Sequence, residues 1–309
     1  MSLTQFQIKE ITYKTFQKCI EIRTDLYYLI ITKSFGPRII FFGPNDKCNL
    51  LFQDNHDVFR MNNANHHKIF QNDAWHCYGG HRLWASPESI YTYAPDNQPI
   101  EVKLKNNKLC IIAPKLPVVN LKIKWEITIN PGNIEIKHTI VNQGNKQVEL
   151  AVWALTQMAP QGVAIFKLND ADTGFLPNRK LVLWPYTRLN DPRLFLGNKY
   201  CSLKMDPNNQ TPIKLGFDYR IGQAIYLLNN YKFTISYLHD DTGHYPDGGC
   251  SCETYTNQHF LEIETLSKLV QLKPKHSITH VETWKLERIS SRIGSMQSDD
   301  DIAKIFSNN

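Results

Sequence analysis

The sequence lacks the short motifs of several large enzyme classes. It contains no G-x-G-x-x-G, P-loop, H-E-x-x-H or G-x-S-x-G pattern. Those patterns place backbone amides around phosphates, two histidines on one helix face around zinc, or a serine at a strand-to-helix turn. Nucleotide-dependent, zinc-protease and α/β-hydrolase chemistry therefore have no local support in this chain.

Paired cysteines and long apolar runs are also missing. The seven cysteines include no C-x-x-C pair and no repeated spacing, which argues against a disulfide framework, a zinc ribbon or a thioredoxin motif. Cys250 and Cys252 are close together, but isolated thiols are typical of a reducing compartment. No stretch approaches the roughly 20 apolar residues that span a membrane, and the chain does not open on a basic segment followed by an apolar run. We therefore expect a cytoplasmic protein without a signal peptide or a membrane partner.

Charge is not concentrated anywhere along the chain. The net charge is +6 at pH 7, but Lys and Arg are spread over the whole length with acidic residues between them. A nucleic-acid-binding protein gathers its basic residues on one face or in one run. We interpret the charge as a general surface property and expect no nucleic-acid partner.

Length and composition indicate a folded globular chain. With 309 residues, of which 42% are hydrophobic, the chain can bury a large core without disulfides. No linker or internal repeat interrupts it. We predict one domain over 4–290 and a helical tail over 291–309.

The dominant pattern has a period of two residues. Odd-numbered positions of 121–129 are apolar and even-numbered positions are polar, which predicts a half-buried strand. A Pro-Gly-Asn turn at 131–133 follows, and 134–140 resumes the alternation, so the two segments form a hairpin. Further strands are predicted at 27–32, 38–42, 102–104, 108–112, 148–155, 224–228, 233–237, 260–266 and 280–285. This rhythm predicts an all-β sandwich or barrel.

Helical patterning is confined to the end of the chain. Ser298 can cap a helix, and three aspartates at 299–301 would occupy its first turn. Ile302, Ile305 and Phe306 share one face. The scarcity of helices elsewhere argues against βαβ units.

The first candidate site lies in 75–88. A Gly pair at 79–80 frees the backbone and is followed by His81, Arg82 and Trp84. An imidazole can act as acid or base near neutral pH, a guanidinium can hold two oxygens, and an indole offers a flat face for a sugar ring. The alternative is a tight turn with a buried Trp and a salt-bridged Arg.

The second candidate site lies in 245–266. On a strand, Glu262 and Glu264 point to the same face, about 6.5–7 Å apart. Like charges so placed raise at least one pKa, which suits a general base near pH 7. Glu253 could face them from another segment. The alternative is a solvated strand face, or glutamates paired with lysines across the sheet.

Histidines are frequent over 56–81, but their spacing fits a metal site neither on a strand nor on a helix. Cys and Asp are not placed at ligand spacing beside them. We expect neither a metal nor a cofactor.

Several segments together resemble galactose mutarotase-like proteins. The run 139–144, Thr-Ile-Val-Asn-Gln-Gly, followed by 148–153, Val-Glu-Leu-Ala-Val-Trp, is similar to their central hairpin. The strand 261–265, Leu-Glu-Ile-Glu-Thr, resembles the late strand with their catalytic glutamate. Gly79-Gly80-His81-Arg82-Leu83-Trp84, Tyr245-Pro246-Asp247-Gly248-Gly249 and His280-Val281-Glu282-Thr283-Trp284 resemble an uncharacterised bacterial branch of that superfamily.

The resemblance implies a large antiparallel β-supersandwich with a sugar-sized cleft, and an aldose 1-epimerase-like interconversion of anomers. It implies Glu264 as the base and His81 as the histidine that protonates the ring oxygen. The expected substrate is a carbohydrate, free or phosphorylated, with Arg82, Arg179 and Arg188 as phosphate-binding candidates. The predicted substrate-binding residues are Arg82, Glu262, Trp84, His76, Gln157, Tyr245, Asp247 and Glu253.

The sequence departs from the family at one important position. Mutarotases carry an Asn-His pair after the central hairpin, whereas this chain reads Thr156-Gln157-Met158. Glutamine is no acid at neutral pH, and a lost general acid costs about 10²–10⁴ in rate. Either His81 or His76 supplies the proton, or the protein is not a mutarotase.

Three functions therefore remain open. The first is an aldose 1-epimerase-like enzyme, and the second is a non-catalytic sugar-binding protein that uses the same cleft. The third is a glycoside-processing enzyme with Glu264 paired to Glu262 or Glu253. Convergence of Glu264, His81 and Arg82 on one cleft would favour the first.

Overall fold

The computed structural model describes residues 6–45, 47–170, 172, 174, 178–289 and 296–307, without the side chains of Phe306 and Ser307. The predicted domain limits at 4 and 290–291 lie outside these residues. Within them no helix is both long and apolar enough to cross a membrane.

Two large antiparallel sheets make up the molecule. The first half of the chain contributes β1 (Gln7–Tyr13), β2 (Phe16–Arg23), β3 (Tyr28–Thr32), β4 (Ile39–Gly43), β5 (Arg60–Met61), β6 (Trp75–His76), β7 (His81–Ser86), β8 (Glu101–Lys105), β9 (Lys108–Lys115), β10 (Leu121–Asn130), β11 (Asn133–Asn142) and β12 (Val148–Met158). The second half contributes β13 (Val163–Lys167), β14 (Leu181–Leu183), β15 (Leu194–Leu196), β16 (Tyr200–Lys204), β17 (Ile213–Phe217), β18 (Gln223–Leu228), β19 (Tyr231–Tyr237), β20 (Cys252–Thr256), β21 (Leu261–Leu266), β22 (Val270–Leu272) and β23 (Ser277–Arg288).

The order of the strands places distant segments side by side. Within the described residues, an eleven-stranded sheet runs β1-β2-β3-β4-β7-β12-β21-β20-β17-β14, with β22 beside β12. A ten-stranded sheet runs β15-β16-β13-β18-β19-β23-β11-β10-β9-β8. A small pair joins β5 to β6. The predicted all-β sandwich is confirmed.

The core lies between the two large sheets. The predicted hairpin forms between β10 and β11, with Ile127 opposite Ile136. Trp125, Ile127 and Trp284 are buried in the main cluster, which also takes apolar residues from the eleven-stranded sheet. Alternation is therefore a reliable guide to which side chains enter the core.

Within the described part of the chain, two α-helices flank the sheets. α1 (Ala64–Phe70) begins after Asn63, whose side chain accepts a hydrogen bond from the His66 amide. It lies in the histidine-rich stretch, and its seven residues are too few to give a clear helical period.

The predicted C-terminal helix is α2 (Asp299–Ser307). The Asp301 amide donates to Ser298 Oγ at 3.1 Å, which confirms the predicted cap. Ile302 and Ile305 pack on a cluster that includes Tyr200 and Ile225. The side chain of Phe306, also predicted on this face, lies outside the described part of the structure.

The Gly pair before β7 is needed for close packing. Gly80 has φ +72°, and a Cβ there would lie 2.0 Å from the carbonyl oxygen of Ile39. We expect Gly80→Ala to destabilise the protein by at least about 3 kcal/mol, because both the backbone and its neighbour must move. Gly132 has a similar φ of +87° but nothing within 4 Å of a Cβ, so Gly132→Ala should cost only about 1 kcal/mol. Urea denaturation of both variants measures the difference, and equal costs would show that Gly80 is not constrained by packing.

Candidate active site

Five adjacent strands, β7, β12, β21, β20 and β17, form the floor of a cleft on the outer face of the eleven-stranded sheet. Side chains alternate across a strand, so every second residue points into this cleft. One row runs across four strands, with Gln157 opposite Glu262, Glu262 opposite Tyr255 and Tyr255 opposite Lys214. The next row contains Arg82, Leu155, Glu264 and Glu253. Charged residues from separate parts of the chain thus meet on one floor.

The cleft has a volume of about 370 Å³, which suits a small ligand. Its aromatic and apolar lining residues are Phe59, Trp75, Trp84, Tyr93, Trp153, Leu155, Trp184, Tyr186, Tyr255 and Phe260. Its charged lining residues are Arg82, Glu88, Lys214 and Glu262. A neighbouring groove of about 450 Å³ has Glu149 as its one charged lining residue among those described. The first cleft therefore combines flat apolar surfaces with converging charges.

Glu262 is the carboxylate that reaches the cleft surface from the floor. Its side chain is 10% exposed, whereas that of Glu264 is 0% exposed. Glu262 Oε1 accepts hydrogen bonds from Arg82 Nη2 at 3.3 Å and from Gln157 Nε2 at 3.0 Å. Gln157 Oε1 in turn accepts from the Cys77 thiol at 3.1 Å. Gln157 thus orients Glu262, and this contact explains a polar residue at a buried position.

Arg82 has unused donors at the cleft. Its guanidinium carbon lies 4.3 Å from the centre of the Trp84 ring and 5.6 Å from that of Trp75. Arg82 Nε and Nη1 have no hydrogen-bond partner among the described residues, although the side chain is only 4% exposed. Buried guanidinium donors are costly to leave unpaired, so their position favours a bound oxygen atom.

Lys214 joins two deeper carboxylates. Its Nζ lies 2.7 Å from Glu253 Oε2 and 3.0 Å from Glu264 Oε2. Trp153 Nε1 also donates to Glu264 Oε2 at 2.8 Å. Glu264 therefore lies on the predicted face, beneath Lys214 and Trp153 rather than at the surface of the cleft. Its assignment as the base stays a prediction.

Burial and neighbouring charges shift the pKa values of Glu262, Glu253 and Lys214. Burial raises the pKa of Glu262 above its ordinary value, Glu264 adds to the rise, and Arg82 and Lys214 oppose it. Burial likewise raises the pKa of Glu253 well above its ordinary range against the effect of Lys214. Burial opposes the charge on Lys214, but Glu264 and Glu253 outweigh it and raise the pKa of Lys214. The pKa values of Glu262 and Glu253 are thus raised while the lysine stays charged.

His81 does not reach the cleft. It neighbours Arg82 on β7 and therefore points to the opposite face, into the core between the sheets. It is 0% exposed and packs against Trp125 and Trp284. Burial lowers the pKa of His81 well below its ordinary value. The convergence of Glu264, His81 and Arg82 that would favour an epimerase is therefore not present for His81, because strand alternation separates adjacent residues.

Three other predicted binding residues also lie elsewhere. His76 Nδ1 lies 2.6 Å from Asp57 Oδ1, outside the cleft lining. Tyr245 stacks on His239 with ring centres 4.8 Å apart. Asp247 accepts from Ser86 Oγ at 3.4 Å. The loop 245–249 therefore builds a neighbouring surface and not the cleft.

The three arginines predicted as phosphate-binding candidates differ in whether they line the cleft. Arg82 lines the cleft, whereas Arg179 and Arg188 do not. Arg179 Nε instead donates to the carbonyl oxygen of Asn169 at 2.9 Å.

Lys214 and Tyr186 are among the cleft residues that were not predicted from the sequence. Lys214 interrupts the apolar strand Ile213–Phe217, and an isolated lysine in such a strand was the available signal. Tyr186 lies in a loop, where no periodicity marks it.

Solved structures provide the comparison for this architecture. No family model matches the chain, and no curated protein matches it in sequence. In structure it is similar to a protein from Klebsiella pneumoniae provisionally described as an aldose 1-epimerase, with 12% identity and a TM-score of 0.59 over 100% of this chain and 89% of that one. It is also similar to a galactose mutarotase-like protein from Lactobacillus casei, with 11% identity and a TM-score of 0.55 over 87% and 100% of the two chains. A galactose mutarotase-like protein from Clostridium acetobutylicum gives 13% identity and a TM-score of 0.53 over 92% and 99%. The chain therefore has the galactose mutarotase-like fold that its hairpin and late-strand residues resemble.

Proposed function

We propose that the cleft binds a sugar and that the protein interconverts its anomers by aldose 1-epimerase-like proton transfer. The observation that carries this proposal is the position of Glu262 at the surface of an aromatic-walled cleft, held by Arg82 and Gln157. Indole and phenol rings offer faces for a pyranose, and the charged groups can bind its hydroxyls. In this proposal Glu262 takes the catalytic role that the resemblance implies for Glu264.

The proposed chemistry needs one carboxylate and one cation. Glu262 takes the proton of the anomeric hydroxyl, the carbonyl forms, and the bond from the anomeric carbon to the ring oxygen breaks. The ring oxygen leaves as an alkoxide that the free Arg82 donors stabilise. It then receives the same proton from Glu262. Rotation of the aldehyde and the reverse steps give the other anomer.

A single carboxylate suffices because the hydroxyl and the ring oxygen are bonded to the same carbon. A glycosidase instead needs carboxyl groups on both sides of the scissile bond. Glu253, Glu262 and Glu264 all rise from one sheet face, so the pairs predicted for a glycosidase do not flank a substrate. The geometry therefore favours anomer interconversion over glycoside hydrolysis.

Non-catalytic sugar binding is the second candidate. The observation in its favour is that no histidine lines the cleft among the described residues, while Gln157, at the position where the resemblance implies the family's acid, lines it. In that case Glu262 and Arg82 would serve as hydrogen-bonding groups alone.

The test is anomer exchange with the purified protein. We expect that NMR exchange spectroscopy across aldohexoses, aldopentoses and their 6-phosphates finds at least one sugar whose anomers interconvert faster than in buffer. Calorimetry on the same panel measures binding. Binding without acceleration would establish the second candidate, and neither effect with any sugar would contradict both.

A pair of aromatic variants tests whether the sugar lies in this cleft. Trp84→Ala should weaken binding about 3–10-fold, because it removes one stacking face. Tyr91→Ala is the matched control, since Tyr91 is 49% exposed and lines the neighbouring groove. Equal losses in the two variants would place the sugar elsewhere.

A further inference from the structure

A polar cluster is buried between the two sheets, directly behind the cleft. It joins His81 on β7 to His138 on β11 and Glu282 on β23, so both sheets contribute to it. All three residues are 0% exposed. Trp125 and Trp284 pack around it. Polar groups in such a place need specific partners.

The potential ligand atoms of the cluster already converge. His81 Nε2 lies 2.8 Å from His138 Nε2 and 4.0 Å from Glu282 Oε2. The three atoms all lie within 4.8 Å of one another. A tetrahedral zinc ion with bonds of about 2.0–2.1 Å places its ligand atoms about 3.3 Å apart. The distance from His81 Nε2 to His138 Nε2 and the distance from His81 Nε2 to Glu282 Oε2 each need to change by less than about 1 Å to reach that separation.

Outer contacts hold the two imidazoles in orientations suited to metal binding. His138 Nδ1 lies 3.2 Å from the carbonyl oxygen of His280. A carbonyl can only accept, so Nδ1 carries the proton and Nε2 presents a lone pair to the cluster. His81 Nδ1 lies 2.9 Å from Thr156 Oγ1, which can accept from it when Nε2 binds a cation. Such contacts behind each ligand are the usual support of a histidine metal site.

The carboxylate is similarly fixed. Glu282 Oε1 accepts from Thr265 Oγ1 at 2.5 Å, and Oε2 accepts from Trp284 Nε1 at 2.8 Å. Among the described residues no Lys or Arg forms an ion pair with Glu282. A buried carboxylate without a cationic partner is unfavourable, and a divalent ion would supply the missing charge.

We propose that His81, His138 and Glu282 bind one divalent transition-metal ion, zinc by preference, which ties the two sheets together. Two imidazoles and one carboxylate match the donor types of zinc, whereas calcium and magnesium prefer oxygen ligands alone. The site is structural, because all its ligands are inaccessible to solvent.

Elemental analysis of the purified protein tests the proposal. After refolding from guanidinium with excess zinc and desalting, we expect about one zinc ion per chain. At a zinc concentration a hundred times Kd, the unfolding midpoint should rise by roughly 5 °C over zinc-free protein. Cobalt in place of zinc should give the visible absorption of a tetrahedral site.

Variants assign the metal to these residues. His138→Gln should lose the zinc and the rise in midpoint, while His66→Gln should keep both. His66 is a suitable control because it is equally buried and bonds to the Tyr93 carbonyl outside the cluster. If His138→Gln does not fold, Glu282→Gln, which keeps the side-chain shape, is expected to abolish the cobalt spectrum.

Two results overturn the proposal. Less than about 0.1 zinc per refolded wild-type chain, with an unchanged midpoint, identifies the cluster as a hydrogen-bonded polar core. Full zinc content in a folded His138→Gln or Glu282→Gln variant places the metal elsewhere. The proposed sugar chemistry is unaffected by either result, because the cleft residues are on the opposite face of the sheet.

Discussion

Glu262→Gln is expected to slow anomer interconversion by about 10²–10⁴ without unfolding the protein. The amide keeps the side-chain shape, and its oxygen can still accept from Arg82 and Gln157, which hold the residue in place. It cannot take the proton of the anomeric hydroxyl. NMR exchange rates, corrected for the buffer rate, measure the loss. Glu126→Gln is the control, because Glu126 is a half-buried glutamate paired with Lys137 on the other sheet.

Glu264→Gln tests which glutamate is the base: Glu262, as proposed from the structure, or Glu264, as the resemblance implies. Glu264 has no exposed surface and already bonds to Lys214 and Trp153, so we expect its variant to lose less than about tenfold in rate. A full loss in Glu264→Gln with normal turnover in Glu262→Gln would return the role of base to Glu264. Normal turnover in both variants would remove Glu262 and Glu264 from the mechanism.

The pH profile provides an independent readout of the same residue. Burial and Glu264 raise the pKa of Glu262, and the proposed base acts in its ionised form. The rate should therefore rise with pH through a midpoint above the ordinary glutamate value of 4.5. Glu262→Gln should abolish that step, whereas a merely structural role would leave it in place.

Much of the fold could be predicted because its strands carry their burial pattern locally. The strand Leu121–Asn130 agrees with the prediction because one of its faces is buried and the other is partly exposed to solvent. The strand Ile213–Phe217 was missed because Lys214 and Gly216 interrupt its apolar residues, whereas the segment 224–228, which is apolar throughout, was predicted. The hairpin β1–β2 was missed because exposed residues fall on both faces of its first strand.

The site was predicted in part, and its error has a simple geometric cause. Gly79-Gly80 was interpreted as freeing the backbone before His81 and Arg82, which were assigned to one site, but β7 begins at His81. Once both residues belong to one strand, they must point to opposite faces. The alternation of side chains along a strand was applied to Glu262 and Glu264 but not to this segment. Applied here, it predicts that His81 points away from the face on which Arg82 lies.

The buried cluster could not be found from spacing. His81 and His138 are 57 residues apart and lie on different sheets, so only the tertiary fold brings them together. Local rules for metal sites detect ligands on one helix or one loop. Ligands that meet across a sandwich leave no such signature.

Lys214→Met is expected to destabilise the protein by about 3–5 kcal/mol at pH 8. The lysine is 9% exposed and lies between Glu253 and Glu264, both fully buried. Methionine fills a similar volume but leaves two carboxylates without their cation. Removing one partner of a buried ion pair costs more than the pair itself contributes, because the remaining charges stay desolvated. Urea denaturation followed by far-UV circular dichroism measures the loss.

The loss of stability in Lys214→Met should become smaller as the pH falls. The folded-state pKa of Glu253 is already raised, so its neutral form favours folding at low pH, and this stabilisation is lost as the pH rises through the raised value. Without Lys214 the raised pKa moves higher still, and the penalty at pH 8 grows. At pH 5 the carboxyl binds a proton in the folded variant, and we expect more than half of the difference from wild type to disappear. Lys214 itself stays charged across this range and contributes no pH dependence to it.

Two further variants test whether the buried carboxylates Glu253 and Glu264 cause the loss of stability in Lys214→Met. Lys232→Met removes another buried lysine, but its partner Glu287 is 26% exposed and also pairs with Lys285. That variant should cost less than about 2 kcal/mol and show no recovery at pH 5. Adding Glu264→Gln to Lys214→Met should restore part of the stability at pH 8, because it removes one uncompensated charge. If the double variant is no more stable than Lys214→Met, or if the cost is the same at both pH values, the loss comes from packing around Trp153 and Trp184 and not from the buried charges.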